Sequence, residues 1–120
     1  MKDRFIGRWK ITEMEMWKKK YIDLVVPGFI EFEDKQQGSF QFGAVKGWLD
    51  TRLVDGPEPR VEWSWEGMSD RDTACGRGYA VLKGETLEGR IFIHASDDSW
   101  FKAVPLQNPD ITEVNRKLHR

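Results

Sequence analysis

Glu13 and Glu15 stand two residues apart in the run Trp9-Lys10-Ile11-Thr12-Glu13-Met14-Glu15-Met16-Trp17. On an extended strand such residues share a face. Paired carboxylates are a common acid/base constellation. Inside an apolar enclosure they are costly and have raised pKa values unless they are paired. If the alternation runs strictly, they share the face of Trp9, Ile11 and Trp17, and Glu13 or Glu15 anchors a ligand. A bulge near Thr12 reverses the phase and turns Met14 and Met16 inward. That bulge, or a sheet covered on both faces, is the simpler reading because it keeps charge out of the core.

Other residues with chemical potential are scattered. His94, Asp97, Asp98 and Ser99 lie together near one predicted hairpin. A triad needs a nucleophile, a base and an orienting group to converge in space, whereas Ser-Asp-Asp-Ser is ordinary turn chemistry. Asp70, Asp72, Asp97 and Asp98 offer oxygen ligands, but not at calcium-loop spacing, so no metal or cofactor is expected. Arg77 sits between Gly76 and Gly78, where it could clamp a carboxylate or phosphate or pack on an aromatic ring. Cys75 is the single cysteine. No intramolecular disulfide can form, and no activating histidine stands beside it in sequence.

Strands must position these groups. Val61-Glu62-Trp63-Ser64-Trp65-Glu66 alternates apolar and polar residues, the pattern of a half-buried strand. Six Trp and seven Phe residues occur mostly in such runs. The spacing predicts strands over about 7–17, 29–34, 39–54, 60–66, 77–83, 86–94 and 99–105, with a longer connection over 18–28. Asp34 to Gly38, Asp55 to Pro59 and Lys83 to Glu85 read as turns. The strand over 39–54 is about three times the usual length, and Gly43 and Gly47 within it mark bends. A strand bent to serve two neighbours curls a sheet toward closure, which removes exposed edges. Asn108-Pro109-Asp110 reads as a helix start. Ile111, Val114 and Leu118 then recur at helical spacing to about residue 119. This helix is expected to lie on the barrel, with dimerisation as the alternative.

Composition narrows the function classes. The 120 residues fit one domain; 39% are hydrophobic, and the formal net charge is −1. A near-neutral balance argues against general nucleic-acid binding. Lys18-Lys19-Lys20 reads as a solvated loop, with an anion or membrane-surface contact as the alternative. No stretch approaches a membrane span, and the N-terminus has no apolar signal region. With one cysteine, the expectation is a cytoplasmic protein with no membrane partner.

Gly7-Arg8-Trp9 at the start of the first strand resembles the G-x-W motif of lipocalin-like (calycin) proteins. The resemblance implies an up-and-down barrel whose Trp9 end is closed and whose other end is a portal. The run Trp9 to Trp17, with Gly76-Arg77-Gly78 and His94 to Ser99, also resembles small bacterial proteins of unassigned function. The expected fold is therefore all-β, an antiparallel up-and-down meander curled into a lipocalin-like barrel with a short C-terminal helix. The expected function is binding of a small apolar or amphipathic ligand. Trp17, Phe40, Phe42, Trp48, Trp63, Trp65 and Tyr79 would line the wall, with Glu13, Glu15 and Arg77 as polar groups. The alternative is a non-catalytic interaction module whose barrel is filled by its own side chains. An enzyme using Glu13, Glu15 or His94 is the weaker alternative. Meander topology places the connection 18–28 at the end opposite Asp97 and Asp98.

Overall fold

The computed structural model describes residues 4–106. The predicted C-terminal helix over about 109–119 lies outside the described residues. Eight strands form a closed antiparallel barrel: β1 Gly7–Met14, β2 Phe29–Glu33, β3 Gln37–Phe42, β4 Val45–Val54, β5 Arg60–Ser69, β6 Asp72–Lys83, β7 Thr86–Ile93 and β8 Asp98–Pro105. Each strand pairs with the next, and β8 returns to β1. One short helix, α1 Lys19–Ile22, lies in the connection between β1 and β2. The all-β meander expected from alternation is the observed architecture.

Three boundaries differ from the sequence reading, each for a local reason. The long strand over 39–54 is two strands, because Gly43 takes φ +56° and reverses the chain with Ala44. Residues 67–76, left between the strands expected over 60–66 and 77–83, are mostly strand. Gly67 and Gly76 lie within β5 and β6, and only Asp70 and Arg71 turn. Asp70 adopts φ +58°, a left-handed conformation that Asp tolerates. The first strand stops at Met14, three residues early.

The turn at Gly43 changes the parity of every later hairpin. Turns 34–36, 55–59 and 84–85 share the Trp9 end, while 15–28, 43–44, 70–71 and 94–97 share the other. The connection carrying α1 therefore lies at the same end as Asp97 and Asp98, not opposite them. This corrects the expected grouping of loops.

The Trp9 end is closed. Trp9 Nε1 donates to the Phe5 carbonyl at 2.9 Å, and the Phe5 ring meets Phe32 edge-on at 6.5 Å. At the other end α1 acts as a plug. Ile22 is fully buried, its carbonyl accepts from Gly43 N at 3.0 Å, and the Tyr21 hydroxyl accepts from Ala44 N at 3.2 Å.

Candidate functional site

The predicted bulge in β1 is present. The register with β8 shifts between Ile11 and Glu13, and Thr12 Oγ1 donates to the Lys102 carbonyl at 3.1 Å. Beyond the bulge Met14 is buried, while Glu13 and Glu15 are exposed. Met16, expected inside, is 48% exposed because β1 has already ended. The two carboxylates stand outside the barrel. Glu13 lies 3.8 Å from Lys102 Nζ and Glu15 lies 3.6 Å from Arg90 Nη1.

Phe40, Phe42, Trp63 and Trp65 point inward and fill the lumen in two chains of ring contacts. Near the closed end, Phe32 on β2 meets Trp63 on β5 at 5.6 Å, and Trp63 meets Phe101 on β8 at 6.4 Å. That chain crosses the barrel. Nearer α1, Trp17 packs on Phe42 at 4.8 Å, Phe42 on Phe40 at 5.7 Å, and Phe40 on Trp65 at 5.0 Å. Tilted and edge-on geometries at these separations add to the stabilisation from burial. The Trp65 indole donates to the Phe92 carbonyl at 3.1 Å. Two lumenal polar atoms, Thr51 Oγ1 and Trp63 Nε1, are buried with no hydrogen-bond partner. They belong to directly paired residues of β4 and β5.

Trp48 and Tyr79, expected on the inner wall, face outward. Their strand neighbours Gly47, Leu49, Gly78 and Ala80 take the inward positions. The sequence assigned the wrong face because glycine leaves no apolar mark on the inner one. Gly47 is small for a reason: a Cβ there would lie 2.6 Å from the Trp65 ring and 2.8 Å from Phe40. The predicted ligand-wall residues thus divide into a lumenal group and an outer group.

Of the outer group, Tyr79 and Arg77 lie in two rows across β5 to β8, while Trp48 stands apart on β4. Glu62, Tyr79, Arg90 and Trp100 pair in sequence across the four strands, as do Ser64, Arg77, Phe92 and Asp98. Cations cover the rings. Arg60 lies 4.4 Å above Tyr79, Arg77 lies 4.7 Å above Phe92, and Lys102 lies 5.7 Å from Trp100. Arg90 is bound to Asp98, whose hydrogen bond keeps the guanidinium even more firmly protonated. Arg77 has no ion pair among the described residues. Two shallow depressions flank the rows. One of about 410 Å³ is bordered by Tyr79, Arg90 and Trp100. The other, about 370 Å³, is bordered by Cys75, Arg77, Phe92 and His94. Trp100 was missed as a surface group, although inward Phe101 and Ala103 fix its outward phase.

The His94 cluster does not assemble a triad. Ser99 is buried, its hydroxyl donates to the Trp100 carbonyl at 2.8 Å, and it accepts from Met16 N at 3.2 Å. Asp98 is held by Arg90, and His94 is exposed on the outer face. Among the described residues, no group of three or more His, Cys, Asp or Glu side chains is arranged to hold a metal ion. No helix among them is long and apolar enough to cross a membrane. Comparisons with protein-family models, curated proteins and solved structures found no match to this chain.

Proposed function

We propose that this chain is a lipocalin-like barrel acting as a non-catalytic binding module through the outer face of β5 to β8. The observation behind this reading is the ring chain Phe32–Trp63–Phe101, which occupies the lumen where a ligand would otherwise sit. Binding chemistry is then left to the exterior. There Phe92, Arg77, His94 and Trp100 offer planar surface beside a guanidinium with no acidic partner among the described residues. Such a face suits a protein segment carrying carboxylates, because guanidinium clamps carboxylate and stacks on rings. A second copy of the chain is one such partner, and sedimentation velocity reads it. The exposed, unpaired thiol of Cys75 suits a reducing cytoplasm. The test is a photo-crosslinking residue placed at position 92 in cells expressing the chain. A discrete adduct that Arg77→Ala abolishes supports the reading. Equal adducts from a crosslinker at exposed Gln37, on β3 in the opposite half of the barrel, overturn it.

A second reading is a small apolar or amphipathic ligand held in the lumen. It is favoured by the unpartnered Thr51 Oγ1 and Trp63 Nε1, since a buried polar group without a partner costs about 1–3 kcal/mol. A ligand reaching both atoms would remove that cost. Native mass spectrometry of gently purified protein tests it: a retained mass lost in Trp63→Phe supports a lumenal ligand.

A further inference from the structure

We propose that the α1 cap docks on an anionic lipid surface. Six large hydrophobic side chains are exposed among the described residues, and three of them sit on this one connection: Met16 at 48%, Leu24 at 61% and Val25 at 60%. Exposed apolar side chains scattered singly need no explanation, but three on one connection do. Lys18, Lys19 and Lys20 lie between them, all exposed.

The cap is built to present these groups rather than to bury them. Ile22 is the inward anchor, with no exposure. Tyr21 and the Ile22 carbonyl hold the cap to the turn at Gly43 and Ala44. Asp23 Oδ1 accepts from Gly28 N at 2.8 Å, which closes the segment that carries Leu24 and Val25. Both acids of the connection are paired: Lys19 Nζ binds Asp23 Oδ2 at 2.6 Å, and Glu15 lies 3.6 Å from Arg90 Nη1. Lys18 and Lys20 have no ion pair among the described residues. The cap therefore carries local positive charge beside three exposed apolar side chains on a chain whose formal net charge is −1.

Charge and area together select the occupant. Three side chains fall well short of the roughly 800 Å² each partner contributes to a standard protein interface. A bilayer needs less: shallow insertion of apolar groups combined with attraction of lysines to anionic headgroups. Surface attachment also needs no spanning segment, which was the ground for expecting no membrane partner. The turn between β5 and β6 shares this end of the barrel, its Asp70 N donating to the Ala44 carbonyl at 2.9 Å, and it carries Arg71 between Asp70 and Asp72.

The test is co-sedimentation of the full chain with vesicles of phosphatidylcholine alone and of phosphatidylcholine mixed with phosphatidylglycerol. The chain is expected to pellet with the mixed vesicles at low salt and to be released by high salt. The double variant Leu24→Glu/Val25→Glu should weaken binding at least about tenfold through lost apolar insertion. Lys18→Glu/Lys20→Glu should weaken it by a similar factor through lost charge attraction. Both sites are exposed, so unchanged circular dichroism is expected of each variant. Val54→Glu, an exposed apolar position at the closed end, should bind as the parent does. Failure to pellet with mixed vesicles overturns the proposal. So does a folded Leu24→Glu/Val25→Glu variant that pellets like the parent.

Discussion

The indole of Trp63 on β5 lies against Gly78 on β6, directly opposite it in the ladder. A Cβ at Gly78 would stand 2.6 Å from three atoms of that ring. The glycine is therefore a volume vacancy that the largest side chain fills, and the Phe32–Trp63–Phe101 chain depends on it. Gly78→Ala should destabilise the fold by about 1–3 kcal/mol, the usual cost of overpacking. Urea unfolding measures the loss. Combining it with Trp63→Phe should recover part of that loss, because residues in contact are not additive.

Trp63 and Trp65 were legible as inward residues because their own strand alternates cleanly. The two-residue period also gave the meander and the bulge at Thr12, where strict phase would have put Glu13 and Glu15 in the core. Trp48 and Tyr79 were misread for the converse reason. On one side of each, the inward neighbour is a glycine, Gly47 or Gly78, which carries no apolar signal and makes room for a ring from another strand. Packing between distant strands is not written in the local period. Gly43 shows how far one residue reaches. Read as a bend rather than a turn, it inverted the assignment of every later loop to an end of the barrel. The outer rows of cations on rings depended on cross-strand register, which no single run of sequence states.

The hold of the cap on the barrel passes through Gly43, whose φ of +56° and contact with the Tyr21 ring both exclude a side chain. Gly43→Ala should cost about 1–3 kcal/mol through backbone strain and the displaced ring. Tyr21→Ala should instead loosen the cap with smaller global loss. Hydrogen exchange locates the effect: Gly43 N, bonded to the Ile22 carbonyl at 3.0 Å, should lose protection in Tyr21→Ala while the amides of β7 do not.

Asp23 supplies a pH dependence. Burial raises its carboxyl, but the hydrogen bonds from Lys19 and Gly28 N and the charges of Lys19 and Lys10 outweigh that, so its pKa falls below the ordinary 3.8. A carboxyl with a depressed folded pKa stabilises the fold above its unfolded value, and the contribution is lost as pH falls through the folded value. The cap should accordingly hold from neutral pH down to about 4 and loosen only in stronger acid. Asp23→Asn should remove that acid-side loss. Exchange of Gly28 N, followed against pH in both proteins, checks it. Identical acid profiles would show that Asp23 does not hold the cap.

The division of aromatic residues into filling and surface groups gives a last expectation about stability. Trp63 is 4% exposed and bridges β2 and β8 through Phe32 and Phe101, so Trp63→Ala leaves a cavity that the closed ladder cannot collapse. It should cost about 3–5 kcal/mol. Trp48 is 58% exposed, with the Lys46 ammonium 6.0 Å from its ring. Trp48→Ala should cost no more than about 0.5 kcal/mol, as for surface positions generally. Phe92→Ala falls between, because it removes both the contact with Arg77 and part of an outer wall; an exposed cation–π pair contributes about 0.5–1 kcal/mol. Parallel urea titrations rank the three. The order Trp63, Phe92, Trp48 is the signature of a barrel filled from within and presenting its remaining aromatics outward. A Trp48→Ala loss equal to that of Trp63→Ala would mean that Trp48 is buried in solution against a partner.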